Sequence, residues 1–90
     1  SIFGRSAGSS TGSGFNNSFF GFQSGSSNTS GQSNVFIGSN AGVGNTTGSN
    51  NLALGANANV SSATLTYATA IGSGAVVTNV DTIQLGRDNL

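Results

Sequence analysis

Residues 34–55 read Asn34-Val35-Phe36-Ile37-Gly38-Ser39-Asn40-Ala41-Gly42, then Val43-Gly44-Asn45-Thr46-Thr47-Gly48-Ser49-Asn50, then Asn51-Leu52-Ala53-Leu54-Gly55. The opening phrase, Asn followed by three apolar residues and Gly, returns at the end of the stretch after a step of 17. Followed outward in both directions the step holds: Gly4, Gly21, Gly38, Gly55 and Gly72 are 17 apart, and Gly86 follows after 14. A large apolar residue precedes each of them: Phe3, Phe20, Ile37, Leu54, Ile71 and Leu85. So short a period, held along nearly the whole chain, predicts a solenoid in which one repeat forms one coil. The expected fold is all-β, a single repeat domain over residues 1–90, with Gly-rich 17-residue repeats over 1–55 and altered repeats over 56–90.

In register, the repeats share further columns. A second glycine lies four positions after the anchor (Gly8, Gly25, Gly42) and a third ten positions after it (Gly14, Gly31, Gly48). Glycine takes positive φ without steric cost, so these columns predict up to three corners per coil. Three positions after the anchor every residue is small (Ala7, Ser24, Ala41, Ala58, Ala75), which implies close approach of another backbone. The column Asn17, Asn34, Asn51 predicts an amide ladder in which each side chain bonds to the next coil.

The apolar run before each anchor glycine is the predicted strand. Alternation places Val35 and Ile37 on one face and Phe36 on the other, so both faces are apolar. The middle position runs Ile2, Phe19, Phe36, Ala53, Ala70 and finally Gln84. A thin coil has one interior, so the second apolar face calls for a cover, most economically copies of the same chain around a symmetry axis. The sequence leaves open which face meets that axis. If Phe36 and its equivalents line it, the assembly narrows toward the C-terminus and Phe36→Asp abolishes it. Beyond residue 56 the second and third glycine columns lapse, and Thr64-Leu65-Thr66-Tyr67 reads as a second strand.

Composition excludes whole function classes. Charged residues make up 4% and net charge is zero, so nothing marks a nucleic-acid partner. No apolar run approaches the roughly 18 residues that insert in a bilayer. The chain does not begin with Met and reads as a segment of a longer protein. It has no His or Cys and only Asp81 and Asp88 as carboxylates, so no catalytic relay, thiolate or imidazole metal site is expected, and no enzyme. Calcium-binding rolls carry a carboxylate in each repeat where these coils hold Ser or Asn, so no metal or cofactor is expected. The glycines Gly8, Gly12 and Gly14 lack the Lys and the helix of a phosphate loop. Four Asn-x-Ser/Thr sequons, at Asn16, Asn28, Asn45 and Asn59, read as corner residues rather than glycan acceptors. Arg5, Arg87, Asp81 and Asp88 are expected in ion pairs at the ends of the stack, and Phe15, Phe22 and Tyr67 packed under turns. The Thr residues shift between columns and form no flat grid of the kind an ice-binding face needs.

The motifs Leu52-Ala53-Leu54-Gly55-Ala56-Asn57-Ala58 and Ala70-Ile71-Gly72-Ser73-Gly74-Ala75 resemble the head repeats of trimeric autotransporter adhesins of the Yersinia adhesin type. The 17-residue form, as in residues 34–50, is similar to repeats in related bacterial surface and fibre proteins. The ending Asp81-Thr82-Ile83-Gln84-Leu85-Gly86-Arg87-Asp88 is similar to the junction into a neck, stalk or intramolecular chaperone domain. The adhesin heads mostly use repeats of about 14 residues, which only the last step matches. The resemblance implies a left-handed parallel β-roll assembled as a side-by-side homotrimer at the bacterial cell surface, anchored in the outer membrane through parts not in this chain. With it, Phe3, Phe19, Phe20, Phe36, Ile37, Leu54, Ile71 and Leu85 are the expected core and trimer-interface residues. The expected role is an adhesive head that meets host matrix or cell-surface ligands, with affinity from many identical faces. The alternative is a phage tail fibre or a self-assembling extracellular filament subunit with no receptor role.

Overall fold

A computed structural model describes residues 1–87. Asp88, expected above in an ion pair, lies outside the described residues. The chain is a parallel β-solenoid of about five turns, and no helix occurs among the described residues. One strand per coil builds a six-stranded parallel sheet: β1 (Ile2–Phe3), β2 (Ser18–Phe20), β3 (Val35–Ile37), β4 (Leu52–Leu54), β6 (Ala68–Ile71) and β8 (Thr82–Leu85). Two more strands, β5 (Asn59–Val60) and β7 (Val76–Val77), pair in a small second sheet. Register follows the glycine period: Ile2 faces Phe19, Phe19 faces Phe36, Phe36 faces Ala53, Ala53 faces Ala70, and Ala70 faces Gln84 across the 14-residue step.

The anchor glycines take φ between 122° and 129° at Gly4, Gly21, Gly38, Gly55 and Gly72, a region that side chains avoid. They also touch the next coil. A Cβ on Gly21 would lie 2.6 Å from the carbonyl oxygen of Gly38, so no side chain fits at that level. Each anchor carbonyl accepts a bond from the N–H three residues on, as in Ala41 N–H to Gly38 at 3.1 Å. That turn tucks the small-residue column inside, where Ser24, Ala41, Ala58 and Ala75 are fully buried. The remaining corners differ from expectation. Positive φ falls on Ser6, Gln23, Asn40, Asn57 and Gly74, on Gly8, Gly25 and Gly42, and on the residue before each buried Asn (Asn16, Ser33, Asn50). Gly14, Gly31 and Gly48 are not among them. Those glycines exist for close approach, since a Cβ on Gly31 would meet the Gly48 carbonyl and the Asn28 amide.

The interior is a narrow column. Phe19 and Phe36 are fully buried and their rings stack with centroids 5.1 Å apart and planes 4° from parallel. The middle strand position therefore fills the coil, and the neighbouring positions point outward. Substituting Phe36 with Asp would test folding rather than assembly. Gly25 and Gly42 give these rings room: a Cβ on Gly42 would sit 2.3 Å from Phe36 Cγ. In the later coils Ala53 and Ala70 replace the ring, Asn59 and Val76 replace the glycine, and Val60 and Val77 turn inward to fill the space. This exchange creates β5 and β7. The expected strand at residues 64–67 is absent, because Tyr67 takes φ 53° and Leu65 turns its carbonyl to the Asn51 amide at 2.6 Å.

Two columns of buried asparagine run through the early coils. In the expected one, Oδ1 of Asn17 accepts the N–H of Asn34 at 2.9 Å, Oδ1 of Asn34 accepts that of Asn51 at 2.9 Å, and Oδ1 of Asn51 accepts that of Ala68 at 3.0 Å. The ladder thus runs side chain to backbone rather than amide to amide. The amide-to-amide bonds involve a second column, where Asn45 Nδ2 donates to Asn28 Oδ1 at 2.9 Å and Asn45 Oδ1 accepts from Asn51 Nδ2 at 3.2 Å. Each Nδ2 of the first column also donates to an arc carbonyl, Asn17 to Gly31 at 2.8 Å and Asn34 to Gly48 at 2.9 Å. Burying six asparagine and serine side chains in so small a core is tolerable only because each is bonded.

A double-mutant cycle tests the ring-and-glycine pairing. Phe36→Ala should lose about 3–5 kcal/mol, and Gly42→Ala should destabilise alone, but the pair should fall short of the sum by about 0.5–3 kcal/mol in denaturant unfolding. Additive losses would contradict the packing. Asn34→Ala strands the buried N–H of Asn51 and should lose about 1–3 kcal/mol, against no more than about 0.5 kcal/mol for the exposed Ser39→Ala.

Candidate interaction face

Because the middle strand position points inward, its neighbours form an outward face on the six-stranded sheet. One column is Phe3, Phe20, Ile37, Leu54, Ile71 and Leu85, and the other is Ser18, Val35, Leu52, Thr69 and Ile83. In the middle coils Phe20, Val35, Ile37 and Leu54 are each 36–39% exposed, and at the two ends Phe3 and Leu85 reach 66% and 69%. The Phe3 and Phe20 rings lie 5.5 Å apart at a tilt of 32°. The expected core and interface residues thus separate into two sets. Phe19 and Phe36 are interior; Phe3, Phe20, Ile37, Leu54, Ile71 and Leu85 form one continuous outward column.

The face carries no charge. The charged side chains among the described residues, Arg5, Asp81 and Arg87, are exposed and lie outside both columns. No cavity and no cluster of metal-ligating side chains occurs among the described residues, and no helix there is long and apolar enough to cross a membrane. Phe15, Phe22 and Tyr67 are exposed by 55%, 43% and 61% instead of packing under turns, so the surface is richer in aromatics than the sequence reading expected. Thr29 and Thr46 repeat in one column, but each hydroxyl donates to a carbonyl of the next coil, Thr29 to Thr46 at 3.3 Å and Thr46 to Ala63 at 3.2 Å. These threonines serve the stack.

A contiguous apolar stripe without hydrogen-bonding demand suits a partner of the same kind, and soluble monomers rarely leave one uncovered. The signal for which face points outward was in the sequence: glycine six residues after Phe19 and Phe36 marks where a ring needs interior space. No protein-family model, curated protein or solved structure matches this chain. The fold therefore defines the class, a short-period parallel β-solenoid with an apolar outward sheet face.

The chain lacks cysteine, so single thiols report each face cleanly. Ala53→Cys should react with a thiol reagent only as fast as the chain unfolds. Leu54→Cys should react freely at any dilution that leaves the outward face uncovered. Equal protection of both at a dilution where the mass is that of one chain, or equal reactivity, would contradict the assignment of faces.

Proposed function

We propose that this chain is a head segment of an extracellular adhesin or fibre, in which three copies pack side by side through the outward face of the main sheet. The observation that supports it is the unbroken column from Phe3 to Leu85, apolar in every coil and half-exposed in the single chain. Covering it removes apolar area from water at about 25 cal/mol per Å², without desolvating any charge. The likeness of Leu54-Gly55-Ala56-Asn57-Ala58 and Ile71-Gly72-Ser73-Gly74-Ala75 to adhesin head repeats supports three as the number, and the bacterial surface as the place. The mechanism is passive. Three coil stacks make a stiff rod, and the Ser-, Asn- and Thr-rich surfaces left outside are presented in many copies to matrix or cell-surface ligands.

Light scattering across a dilution series tests the assembly. The expected mass is three times the 8.8 kDa of the chain. Ile37→Asp places a charge on the outward face and should return the mass to one chain while the far-UV β signal persists. Phe36→Asp buries that charge in the coil and should abolish the β signal itself. A folded monomer in the unaltered chain would overturn the proposal, and growth into long particles would replace it with end-to-end stacking into a filament.

A further inference from the structure

The four sequons of this chain do not share one environment. Asn16-Asn17-Ser18 and Asn59-Val60-Ser61 place their asparagines at exposed and half-buried positions. Asn28-Thr29-Ser30 and Asn45-Thr46-Thr47 place theirs in the interior, where both asparagines are fully buried. There the amide nitrogens are committed. Asn45 Nδ2 donates to Asn28 Oδ1 at 2.9 Å and to the Gly48 carbonyl at 3.0 Å, using both of its hydrogens. Asn28 Nδ2 donates to the Gly31 carbonyl at 3.2 Å. The neighbouring glycines leave no slack, since a Cβ on Gly31 or Gly48 would come within 2.4 Å of the Asn28 or Asn45 Oδ1.

N-linked glycan transfer forms a bond from Nδ2 to the first sugar's anomeric carbon, expels a lipid pyrophosphate and releases one Nδ2 proton. The modified amide keeps a single hydrogen and carries a bulky polar group. Asn45 then loses one of its two bonds, and the sugar has no room within the coil. Transfer acts on the extended chain before folding, so the burial seen in the finished stack gives no protection. We infer that this chain is built to fold where N-linked transfer does not occur, either inside a cell or along an export route that lacks it. The inference rests on the second asparagine column alone and does not depend on the assembly proposed above.

The test is secretion of the chain from a glycosylating eukaryotic cell, with site occupancy read by mass spectrometry and folding by protease resistance. Chains carrying a glycan on Asn28 or Asn45 should be retained or protease-sensitive. Ser30→Ala with Thr47→Ala removes both interior sequons while leaving the buried asparagines in place, and should restore secretion of a protease-resistant chain. Ser18→Ala removes only the exposed sequon at Asn16 and should restore nothing. A protease-resistant secreted chain glycosylated at Asn28 or Asn45 would overturn the inference. So would resistant secretion of the unaltered chain with those sites empty, or failure of the double variant to recover.

Discussion

Every coil of this solenoid is held by backbone contact with the next, and the rest of the structure follows from that contact. The Gly38 N–H reaches the Phe20 carbonyl at 2.8 Å and the Gly55 N–H reaches the Ile37 carbonyl at 2.8 Å, and the same bond recurs at Gly72. Parallel ladders of this sort demand the strand spacing of a sheet, about 4.7–4.9 Å, all the way round the coil. Corners are where that demand is hardest to meet, because a side chain there would point at the carbonyl above. Glycine at the anchor meets it by having none. The chain's poverty in charge and its wealth of small residues are what a stack at backbone distance leaves room for.

Within that frame the interior is a problem of volume per coil. A coil has room for one phenyl ring provided the wall opposite is bare, as at Phe36 and Gly42, or for an Ala provided a valine fills in, as at Ala53 and Val60. The asparagine columns solve a different problem, the arc between the turn and the next strand. That arc has coil-to-coil backbone bonds of its own, as from the Thr29 N–H to the Thr46 carbonyl at 2.9 Å, and the amide side chains supply the donors and acceptors it lacks. In the last coil the arc between Val77 and Thr82 is three residues shorter than its counterpart between Val60 and Ala68. The asparagine columns end one coil earlier, at Asn45 and Asn51, where Ser62 and Ala68 take their places while the arc still has its full length.

Much of this was legible in the residues. The period, the strand positions, the parallel stacking and the buried small column all follow from glycine spacing, because a residue with no Cβ is needed for geometric reasons that recur in each coil. The direction of the strand faces was harder, since Val35, Phe36 and Ile37 are all apolar and alternation alone cannot rank two apolar faces. Residues 64–67 misled because Thr-Leu-Thr-Tyr mimics an alternating strand, while the capture of the Leu65 carbonyl by Asn51 is a tertiary event with no local mark. Asn28 and Asn45 were hidden by their own versatility: the same residue type serves a turn, a sequon or a buried ladder. The outward apolar column was legible as a second hydrophobic face, because Val35 and Ile37 flank Phe36 on the side opposite to its ring.

The coil containing Phe19 and the coil containing Phe36 meet ring to ring, and the asparagines on either side of them meet like to like. A unit whose upper surface complements its own lower surface can be copied between its neighbours without creating any junction the fold has not already solved. Duplicating 17 residues in this region lengthens the rod by one step and leaves its cross-section untouched. The Ala53 and Ala70 coils, with their inward valines, match one another but not the phenylalanine coils, so copies of each kind belong on their own side of the boundary. Length in such a fold is therefore free to vary in whole 17-residue steps, while its diameter is fixed by what a single coil can enclose.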